Sequence, residues 1–80
     1  MNERIQHLGH LREEELKEQE LRLRIEGLRD SIRVKLDPYI EVRHLGADIV
    51  AQQALELANV SIQYDSCLNK IAAIRRALGQ

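Results

Sequence analysis

The chain reads as an all-α protein: two long helices forming an antiparallel helical hairpin, coiled-coil-like. Two such hairpins are expected to associate into a four-helix bundle. Three observations predict this. Apolar residues of the C-terminal half recur in alternating steps of three and four. A single proline, Pro38, divides the 80 residues into two segments. Apolar residues make up 44% of the chain but aromatic ones only 2%, so the apolar content is almost entirely Leu, Ile, Val and Ala, the residues of helix–helix seams. One domain over 1–80 is expected, with a helix at 2–36, a connection at 37–46 and a helix at 47–78.

The first helix has Asn2 as its expected N-cap and Glu3 in its first turn. Ile5, Leu8 and Leu11 form one apolar stripe. Leu21, Ile25, Leu28, Ile32 and Leu36 form another. Between them Arg12 to Glu20 reads REEELKEQE, a strong helix former with only Leu16 to bury. It is expected to be a solvated middle. Residues 21–26 and 32–36 also alternate apolar and charged side chains, so a β-hairpin turning at Gly27–Ser31 is the rival reading. Helix is preferred because Leu, Arg and Glu dominate 21–26 and an isolated two-stranded hairpin is marginal in water.

Asp37-Pro38 is a turn dipeptide that stops the first helix. Gly46 and Asp48 mark the start of the second. In that segment Val50, Gln53, Leu57, Val60, Tyr64, Cys67, Ile71, Ile74 and Leu78 keep the three-four rhythm throughout. This is a heptad seam that keeps one stripe facing a partner helix. Gly79 stands where a helix C-cap belongs. A second stripe, Ala47, Ala51, Ala54, Ala58 and Ser61, is flanked by Leu55 and Ile62. Alanine there can simply be a good helix former, but the two large aliphatics need burial, so a second packing surface is expected.

With residue 36 opposite residue 47, facing residue numbers add to about 83 for helices of about 1.5 Å rise per residue. Ile5 then falls near Leu78, Leu8 near Ile74, Leu11 near Ile71, and Ile25 near Ala58. One hairpin leaves the Ala47–Ile62 stripe bare, and 80 residues bury only a modest core alone. A homo-oligomer is therefore expected, a symmetric dimer first, with a further protein partner as a second possibility. The expected interface residues are Ala51, Ala54, Leu55, Leu57, Ala58, Val60, Ile62, Tyr64, Ile71 and Ile74.

Other chemistries are thinly supported. No nucleophile motif, P-loop or dinucleotide fingerprint is present, so no enzyme activity and no cofactor are expected. His7, His10 and Glu14 share a helical face at a spacing that metal ligands use. The residues expected opposite them add no ligand, so no metal site is assigned. The alternative function is a small nucleic-acid-associated regulator using Arg22, Arg24, Arg29, Arg33, Lys35 and Arg43. Residues 21–46 carry six basic and four acidic side chains, while 1–20 carry three and six. Against that alternative, Glu26 and Asp30 interleave with the arginines, no aromatic stands among residues 22–35 for base stacking, and the net charge is −1. No apolar run exceeds four residues, Ile71 to Ile74, so no membrane span is expected. Met1 to Glu20 lacks the apolar stretch of a secretory signal. The lone Cys67 fits a reducing cytoplasm.

The Asp37-Pro38-Tyr39 break and the stretch from Ala47 to Ala58, ADIVAQQALELA, resemble small coiled-coil accessory proteins of Mu-like prophages. The resemblance covers the whole chain. It implies a bacterial or phage cytoplasmic setting and carries over no functional residue.

Overall fold

A computed structural model describes residues 2–79. Helix α1 runs Glu3–Lys35, a single 3-10 turn covers Val42–His44, and helix α2 runs Ala47–Ala77. The two helices pack antiparallel as a hairpin, a rod 63 Å long and 16 × 15 Å across. Among the described residues there is no strand. The alternating segment 21–26 lies wholly inside α1, where Arg, Leu and Glu are at home by propensity.

The ends follow from local chemistry. Asn2 precedes α1 and its side chain makes no capping bond. Its carbonyl accepts the Gln6 N–H at 2.9 Å. Arg33 and Lys35 occupy the last turn, where positive charge suits the helix dipole. Beyond Leu36, the Asp37 carboxylate accepts the Tyr39 N–H at 2.8 Å, an Asx turn built around Pro38. Helix α2 begins at Gly46, whose carbonyl accepts the Val50 N–H at 2.8 Å. Just beyond its end stands Gly79, whose φ of 77° is the left-handed conformation a side chain would resist. Its N–H returns to the Arg76 carbonyl at 3.1 Å.

The α2 seam faces its partner as its rhythm requires: none of its nine positions, 50 to 78, is exposed. The buried centre is Leu11 and Leu21 from α1 with Val60, Cys67, Ile71 and Leu78 from α2. Ile25, Leu28, Tyr64 and Ile74 pack against it. Ser31–Gln53, Glu18–Tyr64 and Glu14–Cys67 are bonded across the interface. They hold the helices in the expected register.

The face that α1 uses differs from the expected one. It passes through His7, Leu11, Glu14, Glu18, Leu21, Ile25, Leu28, Ile32 and Lys35, again in alternating threes and fours, and none of these is exposed. Ile5 and Leu8, expected against Leu78 and Ile74, are 68% and 44% exposed, and Leu36 is 51% exposed. The acidic middle is only partly solvated, since Glu14, Glu15 and Glu18 are half-buried. The reason is geometric. A stripe that keeps Leu21 and Leu11 inward must carry the intervening positions 14 and 18 inward too, whatever residues stand there.

Candidate interaction surface

The middle of the hairpin is a polar layer within an aliphatic seam. The Tyr64 hydroxyl donates to Glu18 Oε1 at 2.8 Å. The Cys67 thiol donates to the Glu14 carbonyl and to Glu14 Oε2, each at 3.2 Å. No buried side-chain nitrogen or oxygen among the described residues lacks a partner. That matters because an unpaired buried polar group costs more than the bond it forgoes. The bond to Glu18 pushes the Tyr64 hydroxyl above its ordinary pKa, and burial adds to this. Burial pushes the Cys67 thiol up, and Glu14 adds to the effect. Cys67 is therefore a protonated packing residue rather than a thiolate nucleophile at neutral pH. Toward the loop a second polar knot fills the seam position of Gln53. Its Nε2 donates to Ser31 Oγ at 2.9 Å, and Lys35 Nζ donates to the same hydroxyl at 2.7 Å.

The expected interface residues separate into two sets. Leu57, Val60, Tyr64, Ile71 and Ile74 face α1 within the chain, with Val60 only 2% exposed. Ala51, Ala54, Leu55, Ala58 and Ile62 are exposed, and the two large ones stand 65% and 68% open. Ala47 is exposed beside them. The outer face of α2 from 47 to 62 is thus a strip of alanines carrying two projecting aliphatics. Asp48 and Asp65 flank it, and neither makes an ion pair among the described residues.

A second bare stripe lies on α1, and the sequence reading passed over it. Ile5, Leu16, Leu23 and Val34 are 68%, 47%, 59% and 68% exposed. Their spacings of eleven, seven and eleven place them within about 20° of one another on a helix of 3.6 residues per turn. They lie opposite the seam: Leu21 is 8% exposed and Leu23, two residues on, is 59%. The signal was the eleven-seven-eleven spacing, which a search for a single heptad does not show. The loop adds Tyr39 and Val42, 95% and 84% exposed.

The candidate nucleic-acid contacts are mostly engaged. Arg22 lies 3.9 Å from Glu18, Arg29 3.0 Å from Asp30 and Arg43 3.1 Å from Glu41. Arg24 pairs with Glu56 across the hairpin. Lys35 is bonded to Ser31. Of the six candidate nucleic-acid contacts, Arg33 alone has no such partner among the described residues. His7, His10 and Glu14 do not gather: His10 is exposed, and Glu14 is turned to Cys67. Among the described residues no three His, Cys, Asp or Glu side chains are placed to hold a metal ion. No described helix is long and apolar enough to cross a membrane. No protein-family model matches the chain, and neither does any curated protein or solved structure.

Proposed function

We propose that this chain is a non-enzymatic helical module that works in the cytoplasm through self-association and contact with another protein. The observation that carries the reading is the bare outer face of α2, with Leu55 and Ile62 exposed on a bed of alanines. A lone exposed leucine is ordinary, but a contiguous apolar strip on a short rod is a contact surface. The small core supports the same reading. A single layer of Leu11, Leu21, Val60, Cys67, Ile71 and Leu78 is a thin basis for a stable 80-residue fold. Burying each outer aliphatic in a neighbour would add about 1.5–3 kcal/mol. The smallest assembly is a pair of hairpins, four helices in all. The pairing of Arg22, Arg24, Arg29 and Arg43 with carboxylates weighs against the nucleic-acid alternative.

Size-exclusion chromatography with light scattering at micromolar concentration tests the proposal. The expected mass is at least that of two chains. A mass of 9.3 kDa, one chain, at every concentration up to the millimolar range would remove the proposal.

A further inference from the structure

Resting on the self-association just proposed, the geometry points to a head-to-tail contact in which the outer stripe of α1 in one copy lies antiparallel on the outer strip of α2 in the next. Three observations select this arrangement over a symmetric contact of α2 with itself.

The first is shape. The α1 stripe presents large side chains, Ile5, Leu16, Leu23 and Val34, over about 44 Å of helix. The α2 strip presents alanines at 47, 51, 54 and 58, with Leu55 among them and Ile62 one turn beyond Ala58. The alanines beside Leu55 and Ile62 leave room on either side of them for the large α1 side chains to interdigitate. The second is register. Leu16 and Leu23 are seven residues apart, and so are Leu55 and Ile62. Setting Leu16 by Ile62 and Leu23 by Leu55 in antiparallel sense brings Gly27 over Ala51 and Glu20 over Ala58, a close approach at the glycine and a rim charge at the glutamate.

The third is charge. Between His44 and Lys70 the only charged residues are acidic, Asp48, Glu56 and Asp65, and Glu56 is already paired with Arg24. In this register Arg12, exposed and without an ion-pair partner among the described residues, falls within a turn of Asp65. At the other end Asp48 meets Asp30, but Arg29 is held against Asp30 and Arg33 lies one turn away. A symmetric α2–α2 contact would leave all four exposed α1 aliphatics bare. The head-to-tail contact covers Leu16 and Leu23 together with the α2 strip in one interface, and sets Ile5 by Ala73. It also repeats the antiparallel α1–α2 relation of the hairpin itself.

Such a contact is heterologous, and the two stripes lie on opposite outer sides of the hairpin, so it extends as an open row rather than closing into a ring. Each copy added leaves one free face of each kind, and the assembly grows as a row of hairpins side by side. This yields a mixing test. Leu55→Gln with Ile62→Gln removes the α2 face, and Leu16→Gln with Leu23→Gln removes the α1 face. Glutamine keeps helix propensity close to that of leucine, and circular dichroism checks that both variants remain helical.

The wild-type mass is expected to rise with concentration without a plateau at two chains. Each variant alone is expected at the mass of one chain. Their equimolar mixture is expected to form a pair, at twice that mass, and to stop there. If the Leu16/Leu23 variant associates as the wild type does, α1 takes no part and the contact is symmetric on α2. A mixture that stays at one chain overturns the inference as well. A wild type that is monomeric sinks the self-association reading together with it. Independently, Arg12→Asp is expected to weaken association about threefold, and Asp65→Arg in the same chain to restore it. No effect of either change removes this register.

Discussion

Val60 and Ile62 stand two residues apart on α2, both β-branched and aliphatic, yet one is 2% exposed and the other 68%. Leu21 and Leu23 repeat the contrast on α1, at 8% and 59%. Two residues on an α-helix subtend about 200°, so each pair samples opposite faces. The inner faces are satisfied by the fold of a single chain, and the outer faces are not. The large aliphatics alone cannot distinguish them, since leucine and isoleucine occur on both, while every alanine stands on the outer side. The difference is what a single hairpin geometrically reaches: one helix neighbour, hence one covered stripe per helix.

The sharpest way to break the comparison is to put the same charge on each side of it. Val60→Asp buries a carboxylate in the centre of the seam with no cation to meet it, a cost large enough to unfold a hairpin this thin. Ile62→Asp is expected to keep its far-ultraviolet dichroism at high dilution and to lose only association. If both variants unfold alike, the faces are not distinct. The next effect is a cavity. Ile71→Ala is expected to lower stability by about 2–3 kcal/mol in urea unfolding, at the low end for isoleucine because a single layer can partly collapse. The equivalent change at Ile62 is expected within about 0.5 kcal/mol when measured at the dilution where the chain is monomeric.

The polar layer gives a smaller and pH-dependent effect. Both Tyr64 and Cys67 hold their protons more firmly in the fold than in the unfolded chain. Tyr64 does so first through its bond to Glu18, and Cys67 first through burial. Raised values mean that their contribution is complete below the ordinary values and is lost as pH climbs through the raised ones. The urea midpoint is therefore expected to fall once pH passes the ordinary thiol value of 9.0 and to fall further beyond the ordinary phenol value of 10.0. Cys67→Ala removes the first part of that decline and Tyr64→Phe the second, while a profile unchanged in the double variant contradicts the assignment. Smallest of all is the Arg24–Glu56 pair. Both side chains are solvent-accessible, so Arg24→Ala is expected to cost about 0.5 kcal/mol or less and to lose that effect in high salt.

The second helix was legible in the sequence because apolar or amphipathic residues fill nearly every seam position from Val50 to Leu78. Even Gln53 announces itself as the exception. The Asp37-Pro38 break and the terminal Gly79 were legible for similar reasons, since each residue type does one thing to a backbone. The inner face of α1 was not, because Glu14 and Glu18 hold seam positions that read as solvent-facing. Their meaning depends on Tyr64 and Cys67, some fifty residues away in sequence, which offer a hydroxyl and a thiol at matching heights. Ile5 and Leu8 misled in the opposite sense. They are the apolar residues nearest the chain start, but they lie off the line that Leu11 and Leu21 define. Leu23 was disguised by its alternation with Leu21, a pattern that also suits a strand. The outer strip of α2 is visible in the sequence as an apolar stripe, and the fold adds that nothing among the described residues covers it.

The most direct test of the central claim is thiol labelling of an Ala58→Cys variant, with the native Cys67 shielded at 1% exposure. Position 58 lies in the middle of the outer strip. Rapid labelling is expected at high dilution, with progressive protection as concentration rises, in step with the increase in mass. Labelling at position 58 that stays equally fast at every concentration, while the mass increases, would show that the chains meet elsewhere.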